Sequence, residues 1–142
     1  MGYSTTFKGV LKFKAEPTVS VLRALKTWLG EDLRELAPEY AEKNQVNYID
    51  LELTEDFAGL QWSGAEKTYG LVAAVNWIID MMRDQVLADF TLTGELTAQG
   101  EDADDRWILR MVGGRAVEIK IPVTGEKMTC PECGHQWRLN EE

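Results

Sequence analysis

Residues 90–99 read Phe90-Thr91-Leu92-Thr93-Gly94-Glu95-Leu96-Thr97-Ala98-Gln99, an alternation of apolar or small residues with polar ones. Successive side chains of an extended backbone point to opposite faces, so a period of two builds one apolar face and one polar face. The segment is predicted to be a strand with one side in the core and the other in water. That asymmetry belongs to antiparallel sheets, because parallel sheets are covered on both sides. Just upstream the period changes. From about Glu66 to Leu87, the residues Val75, Ile78, Ile79, Met82 and Val86 recur at helical spacing and predict a long amphipathic helix. Downstream, Trp107, Leu109 and Met111 alternate along one strand and Val117, Ile119 and Ile121 along the next. Gly113-Gly114 between them suits a two-residue turn that needs positive φ.

The N-terminal half repeats this grammar. Phe7, Gly9, Leu11 and Phe13 alternate with Lys8, Val10, Lys12 and Lys14, predicting a half-buried strand. Val19, Leu22, Leu25, Trp28 and Leu29 then recur as the apolar stripe of a helix ending near Gly30. From Glu31 to Asn47 the chain is polar, with at most a short helical turn around Leu33, Leu36 and Tyr40 that Pro38 interrupts. Ile49, Leu51 and Leu53 predict a strand, and Gly59-Leu60-Gln61-Trp62 a further short one. The order β-α-β-β-α-β-β-β predicts an α+β fold, an antiparallel sheet with two helices on one face burying every apolar stripe. Its first six elements follow the split β-α-β, ferredoxin-like order, and a C-terminal hairpin follows them. Residues 1–122 form this domain and residues 123–142 a C-terminal tail.

With 44% hydrophobic and 27% charged residues, the 142-residue chain has the composition of one globular domain rather than of a disordered one. No apolar run approaches the ~20 residues of a membrane span, and the first residues lack the basic and apolar regions of a signal peptide. A cytoplasmic protein is expected. The net charge of −9 makes duplex nucleic acid an unlikely partner, since binding a phosphate backbone needs clustered cations.

The tail holds the two cysteines and the one histidine of the chain, in Cys130-Pro131-Glu132-Cys133-Gly134-His135. Cys-Pro-x-Cys-Gly is a single zinc-ribbon knuckle, which aims two thiolates at one metal. A structural zinc site takes four ligands, so zinc here calls for Cys130 and Cys133 from each of two chains, or for His135, a carboxylate or water. A homodimer through the tail is one expectation, an unmetallated tail the other.

Catalytic residues are not expected. A lone histidine in the tail leaves no Ser-His-Asp or Cys-His arrangement, and no glycine-rich phosphate loop follows a strand. Glu101, Asp102, Asp104 and Asp105 read as a solvated hairpin loop without the spacing of a calcium site. The remaining candidates for ligand binding are Trp62, Glu66, Lys67 and Tyr69 at the start of the long helix, with Gln99 and Glu101 beside them around a small pocket. Capping by Glu66 and core packing of the aromatics is the competing reading. Trp28, Trp62, Trp77 and Trp107 all fall on apolar stripes and are expected in the core.

Several stretches resemble a family of small uncharacterised proteins of tailed phages and their bacterial hosts. They are Gly2-Tyr3-Ser4-Thr5-Thr6-Phe7-Lys8-Gly9, Thr54-Glu55-Asp56, Leu60-Gln61-Trp62, Glu66-Lys67-Thr68-Tyr69 and Trp77-Ile78-Ile79. Leu92-Thr93-Gly94-Glu95-Leu96-Thr97-Ala98-Gln99-Gly100-Glu101 with Asp105-Arg106-Trp107 is the nearest match. The resemblance covers most of residues 2–121 and does not include the knuckle. It implies a phage or prophage context in a host cell and a shared fold, but no activity. The expectation is a non-enzymatic accessory protein that binds a host protein or a small ligand, with action against host defence as one role. Its rivals are a zinc-dependent oligomerisation or nucleic-acid adaptor, and a small hydrolase using carboxylates such as Glu66 and Glu101.

Overall fold

The structure, a computed structural model, describes residues 5–65, 68–100 and 105–120. The alternation at residues 90–99 becomes β4 (Leu92–Gln99), set inside a six-stranded sheet. Its companions are β1 (Thr6–Phe13), β2 (Leu51–Leu53), β3 (Gly59–Trp62), β5 (Arg106–Val112) and β6 (Arg115–Lys120). The strand order is β2-β3-β1-β4-β5-β6, and every pairing is antiparallel. Register puts Phe7 and Trp107 opposite Ala98, and Leu109 opposite Leu96, so these side chains share the core face. Lys8, Lys12, Thr93 and Thr97 lie on the other face and are exposed, as the alternation requires.

Among the described residues four helices accompany the sheet: α1 (Val19–Trp28), α2 (Leu33–Leu36), α3 (Pro38–Asn44) and α4 (Leu71–Gln85). The fold is α+β, with two helices more than expected. Pro38 opens α3 instead of interrupting a turn, because the first helical position needs no N–H. Asp32 caps α2, accepting from the Arg34 N–H at 3.0 Å and pairing with its guanidinium at 2.8 Å. Helices α1 and α4 meet at Trp28 and Trp77, edge to face with centroids 5.5 Å apart, and form one core with Leu11, Leu60, Leu96 and Leu109.

Three expectations are corrected. In α1 the buried stripe is Val21, Leu25 and Trp28, while Val19 is 67% exposed and Leu22 only half buried. A ten-residue helix lying on a sheet buries one stripe, and the i, i+4, i+7 set at 21, 25 and 28 takes it. Second, α4 starts at Leu71 rather than near residue 66. Gly70 precedes it in the left-handed region (φ 64°), where a Cβ would meet Val46 Cγ2 at 2.7 Å. Third, the apolar residues of β5 and β6 do not share a face. The Gly113-Gly114 turn has the expected positive φ at both residues, 62° and 82°, and pairs Val112 with Arg115. A two-residue turn fixes parity, so odd positions of β5 oppose even positions of β6. Trp107, Leu109 and Met111 therefore face Lys120, Glu118 and Ala116, while Val117 and Ile119 share the outer face with Arg110 and Ile108.

Among the described residues no helix is long and apolar enough to cross a membrane. Ile121 and the knuckle residues Cys130, Cys133 and His135 lie outside the described residues.

Candidate functional site: a groove around the strand–helix loop

One end of the sheet gathers the C-terminus of β1, the turn from β2 to β3, the start of β4 and the N-terminus of α1. Phe13 is the pivot. Its N–H donates to the Ala58 carbonyl at 3.0 Å, and the next residue, Lys14, donates to the Thr91 carbonyl at 3.1 Å. Its ring packs on Phe90 at 6.1 Å. Residues 14–17 then turn the chain into α1, whose first turn is capped by the Thr18 hydroxyl accepting from the Val21 N–H at 3.2 Å.

Depressions follow this loop on both sides. One of about 460 Å³ lies between Phe13, Pro17, Val21, Leu87 and Phe90. A second of about 420 Å³ shares Phe13 and Pro17 and extends to Leu22, Asp56 and Phe57. A third of about 220 Å³ shares Leu22 and Phe57 and ends at Arg23 and Lys26. Shared walls make them one curved groove, mostly apolar, with charged groups along its rim. Arg83 stiffens one wall: its guanidinium donates to the Phe90 carbonyl at 2.8 Å, to Thr91 Oγ1 at 3.3 Å and to the Gly114 carbonyl at 3.2 Å.

The other wall is the β2–β3 turn, built around the Thr54 hydroxyl. Thr54 is 8% exposed, and its Oγ1 donates to Asp56 Oδ1 at 2.7 Å while accepting from the N–H groups of Ala58 and Gly59. Asp56 Oδ1 also accepts from the Ala58 N–H at 3.1 Å. The Thr54 hydroxyl, helped by that amide, holds the Asp56 carboxyl below the usual carboxylate range, so it stays ionised. The turn carries Phe57 in the left-handed region at φ 59°, with 48% of its surface exposed. That conformation costs a residue with a Cβ about 1–2 kcal/mol, and here it aims an aromatic ring outward. The described residues lining the groove include no Ser, Cys or His, and the Thr91 hydroxyl donates to the Asp89 carbonyl.

Of the six residues expected to form a pocket, Trp62, Tyr69 and Gln99 are described, and Trp62 and Gln99 lie on opposite faces of the sheet. Trp62 is on the core face at the far end of the sheet, its ring 5.6 Å from Phe7, which also meets Trp107 at 5.7 Å. Its indole N–H donates to Thr68 Oγ1 at 2.7 Å, and Thr68 hydrogen-bonds Asp50. Burial raises the Asp50 pKa, and the Thr68 hydroxyl opposes that in part. Gln99 pairs with Thr6 and Arg106 on the outer face, the side of the sheet opposite Trp62. Tyr69, 39% exposed, borders an open hollow of about 580 Å³ with Arg34, Pro38 and Val46. Glu66, Lys67 and Glu101 lie outside the described residues. Trp28 and Trp77 are buried, and Trp62 and Trp107 pack half-buried against the core.

No protein-family model, curated protein or solved structure matches the chain. The groove's key residues, Val19, Leu22 and Phe57, carry one sequence signal between them: Phe57 is an aromatic residue inside a polar turn, where it has no strand or helix to pack under.

Proposed function

We propose that this chain is a non-enzymatic binding protein whose contact surface is the groove around the β1–α1 loop. The observation that carries this reading is the rigid, strained presentation of the exposed Phe57 over an apolar groove, because strain of this kind persists only where the surroundings impose it and clusters at binding sites. The resemblance in sequence adds the context: a phage-encoded accessory protein acting in the host cytoplasm on a host protein or a small ligand, with counter-defence as the role. The fold that goes with it is a split β-α-β, ferredoxin-like core. Support comes from the strand order, in which β3 lies between β1 and β2, and β1 between β3 and β4, with β5 and β6 added at one edge. Affinity copurification from infected cells tests the proposal; it should return one host protein or metabolite, and nothing above background would overturn it.

A second reading rests on the Cys130-Pro131-Glu132-Cys133 spacing alone: the tail binds zinc between two chains and makes the protein a metal-dependent dimer or adaptor. It is compatible with the first, since it assigns the tail an assembly role and leaves the groove to the partner.

A further inference from the structure

The outward stripe of α1 carries Val19, Leu22, Arg23 and Lys26, spaced i, i+3, i+4 and i+7 along one face of the helix. Opposite stand Leu53 at the end of β2 and Phe57 in the turn, and the two sides enclose about 220 Å³. The stripe is polarised. Its N-terminal half is apolar, with Val19 67% exposed and Phe57, 48% exposed, across the slot from it, and its C-terminal half is cationic. Arg23 and Lys26 are the charged residues lining this slot, and neither forms an ion pair with another described residue. In a chain of net charge −9, two cations left beside an apolar slot mark out the sign of what sits there.

We infer that this end of the groove binds an acidic peptide segment of a partner protein. An apolar side chain of the peptide fills the slot between Val19, Leu53 and Phe57, and carboxylates about one helical turn away meet Arg23 and Lys26. The slot itself, about 220 Å³, suits one or two side chains. Two cations with Asp56 on the neighbouring turn are too few for a phosphate backbone. This inference rests on the binding-protein reading above and names the partner chemistry of the same surface.

The test is selection from a random octapeptide display library, with the wild-type chain as bait, followed by fluorescence polarisation of the selected peptides. Phe57→Gly is the informative variant, because glycine accepts the left-handed φ of 59° and removes the ring without straining the turn. Selected peptides should combine Asp or Glu with a large apolar residue and bind about tenfold more weakly to Phe57→Gly. An Arg23→Glu/Lys26→Glu double variant should lose them and select Lys-containing peptides instead. Enrichment of neutral or basic peptides by the wild type, no enrichment, or unchanged affinity for Phe57→Gly overturns the inference. So does a wild-type dimer that Phe57→Gly dissociates in sedimentation, which would make this face a self-interface. If copurification from infected cells succeeds equally with wild type and both variants, this inference fails while the binding-protein reading stands; if it fails with the wild type, that reading falls.

Discussion

The side chain of Asn76 pairs with both backbone polar groups of Ala116: its Oδ1 accepts from the Ala116 N–H at 2.8 Å and its Nδ2 donates to the Ala116 carbonyl at 3.0 Å. Ala116 lies on β6, an edge strand, and the two-residue turn leaves its N–H and carbonyl directed away from β5. An unpaired edge is a template for unwanted strand pairing. Here α4 closes part of that edge with one amide, which mimics a neighbouring strand.

Replacing Asn76 by Ala removes both bonds and should lower stability by about 1–2 kcal/mol. Asn76→Asp keeps the acceptor but loses the donor and sets a carboxylate against the Ala116 carbonyl, so it should be no better than Ala. Urea unfolding gives the energies, and hydrogen exchange locates the effect. The Ala116 amide should lose protection in Asn76→Ala and keep it in Asn76→Asp, which retains the acceptor, while that of Val117, bonded to β5, changes little. Equal protection of Ala116 in all three proteins would refute the role assigned to Asn76.

The Thr54 hydroxyl organises the Phe57 turn, so Thr54→Val should cost about 1–2 kcal/mol by leaving the Gly59 N–H without its acceptor. Asp56 adds a pH dependence. Its folded pKa is lowered, so its stabilising contribution is complete above the unfolded value of about 3.9 and is lost as pH falls through the folded value. Thr54→Val should therefore flatten the acid limb of the stability curve as well as lower the plateau. A parallel downward shift with the acid limb unchanged would contradict the Thr54–Asp56 coupling.

Asp50 has the opposite sign. Burial raises its folded pKa, so the ionised carboxylate is less favourable in the fold than in the unfolded chain. That penalty is absent below about pH 4, grows towards the raised folded value and is complete above it. Asp50→Asn should raise the melting temperature at pH 7, and the gain should vanish as pH approaches 4. The amide oxygen can still accept from Thr68, so the Trp62–Thr68 bond should survive, visible as an unchanged Trp62 indole N–H resonance. A melting temperature lowered at pH 7 would mean that the ionised form is needed.

For the tail, the zinc reading expects native mass spectrometry to find two chains per metal, and Cys130→Ser/Cys133→Ser to give metal-free single chains. A wild-type protein that is monomeric and free of metal after purification without chelators would remove the shared-zinc site.

Local periodicity carried the fold class. The alternation in β4 and β1 and the 3.6-residue stripe of α4 are properties of neighbouring residues, and they specify strand, helix and which side is apolar before any tertiary contact forms. Gly113-Gly114 was equally legible, since few other residues accept positive φ twice in succession. The polar stretch from Glu31 to Asn47 was not, because α2 and α3 are too short for a period to show and depend on Asp32 capping and on Pro38 as a starter.

The groove could be decided only in three dimensions. Whether Val19 and Leu22 or Val21 and Leu25 face the sheet depends on how α1 is rotated against α4, and Trp28 meeting Trp77 settles that rotation. Whether Trp62 and Gln99 share a surface depends on strand register, which places them on opposite faces. The exposure of Phe57 follows from hydrogen bonds to one hydroxyl, Thr54, that no pattern of hydrophobicity encodes. Sequence repeats along the chain specify elements because each residue's neighbours are known. The groove is assembled from Phe13, Arg23, Phe57 and Phe90, which packing between elements brings to one end of the sheet.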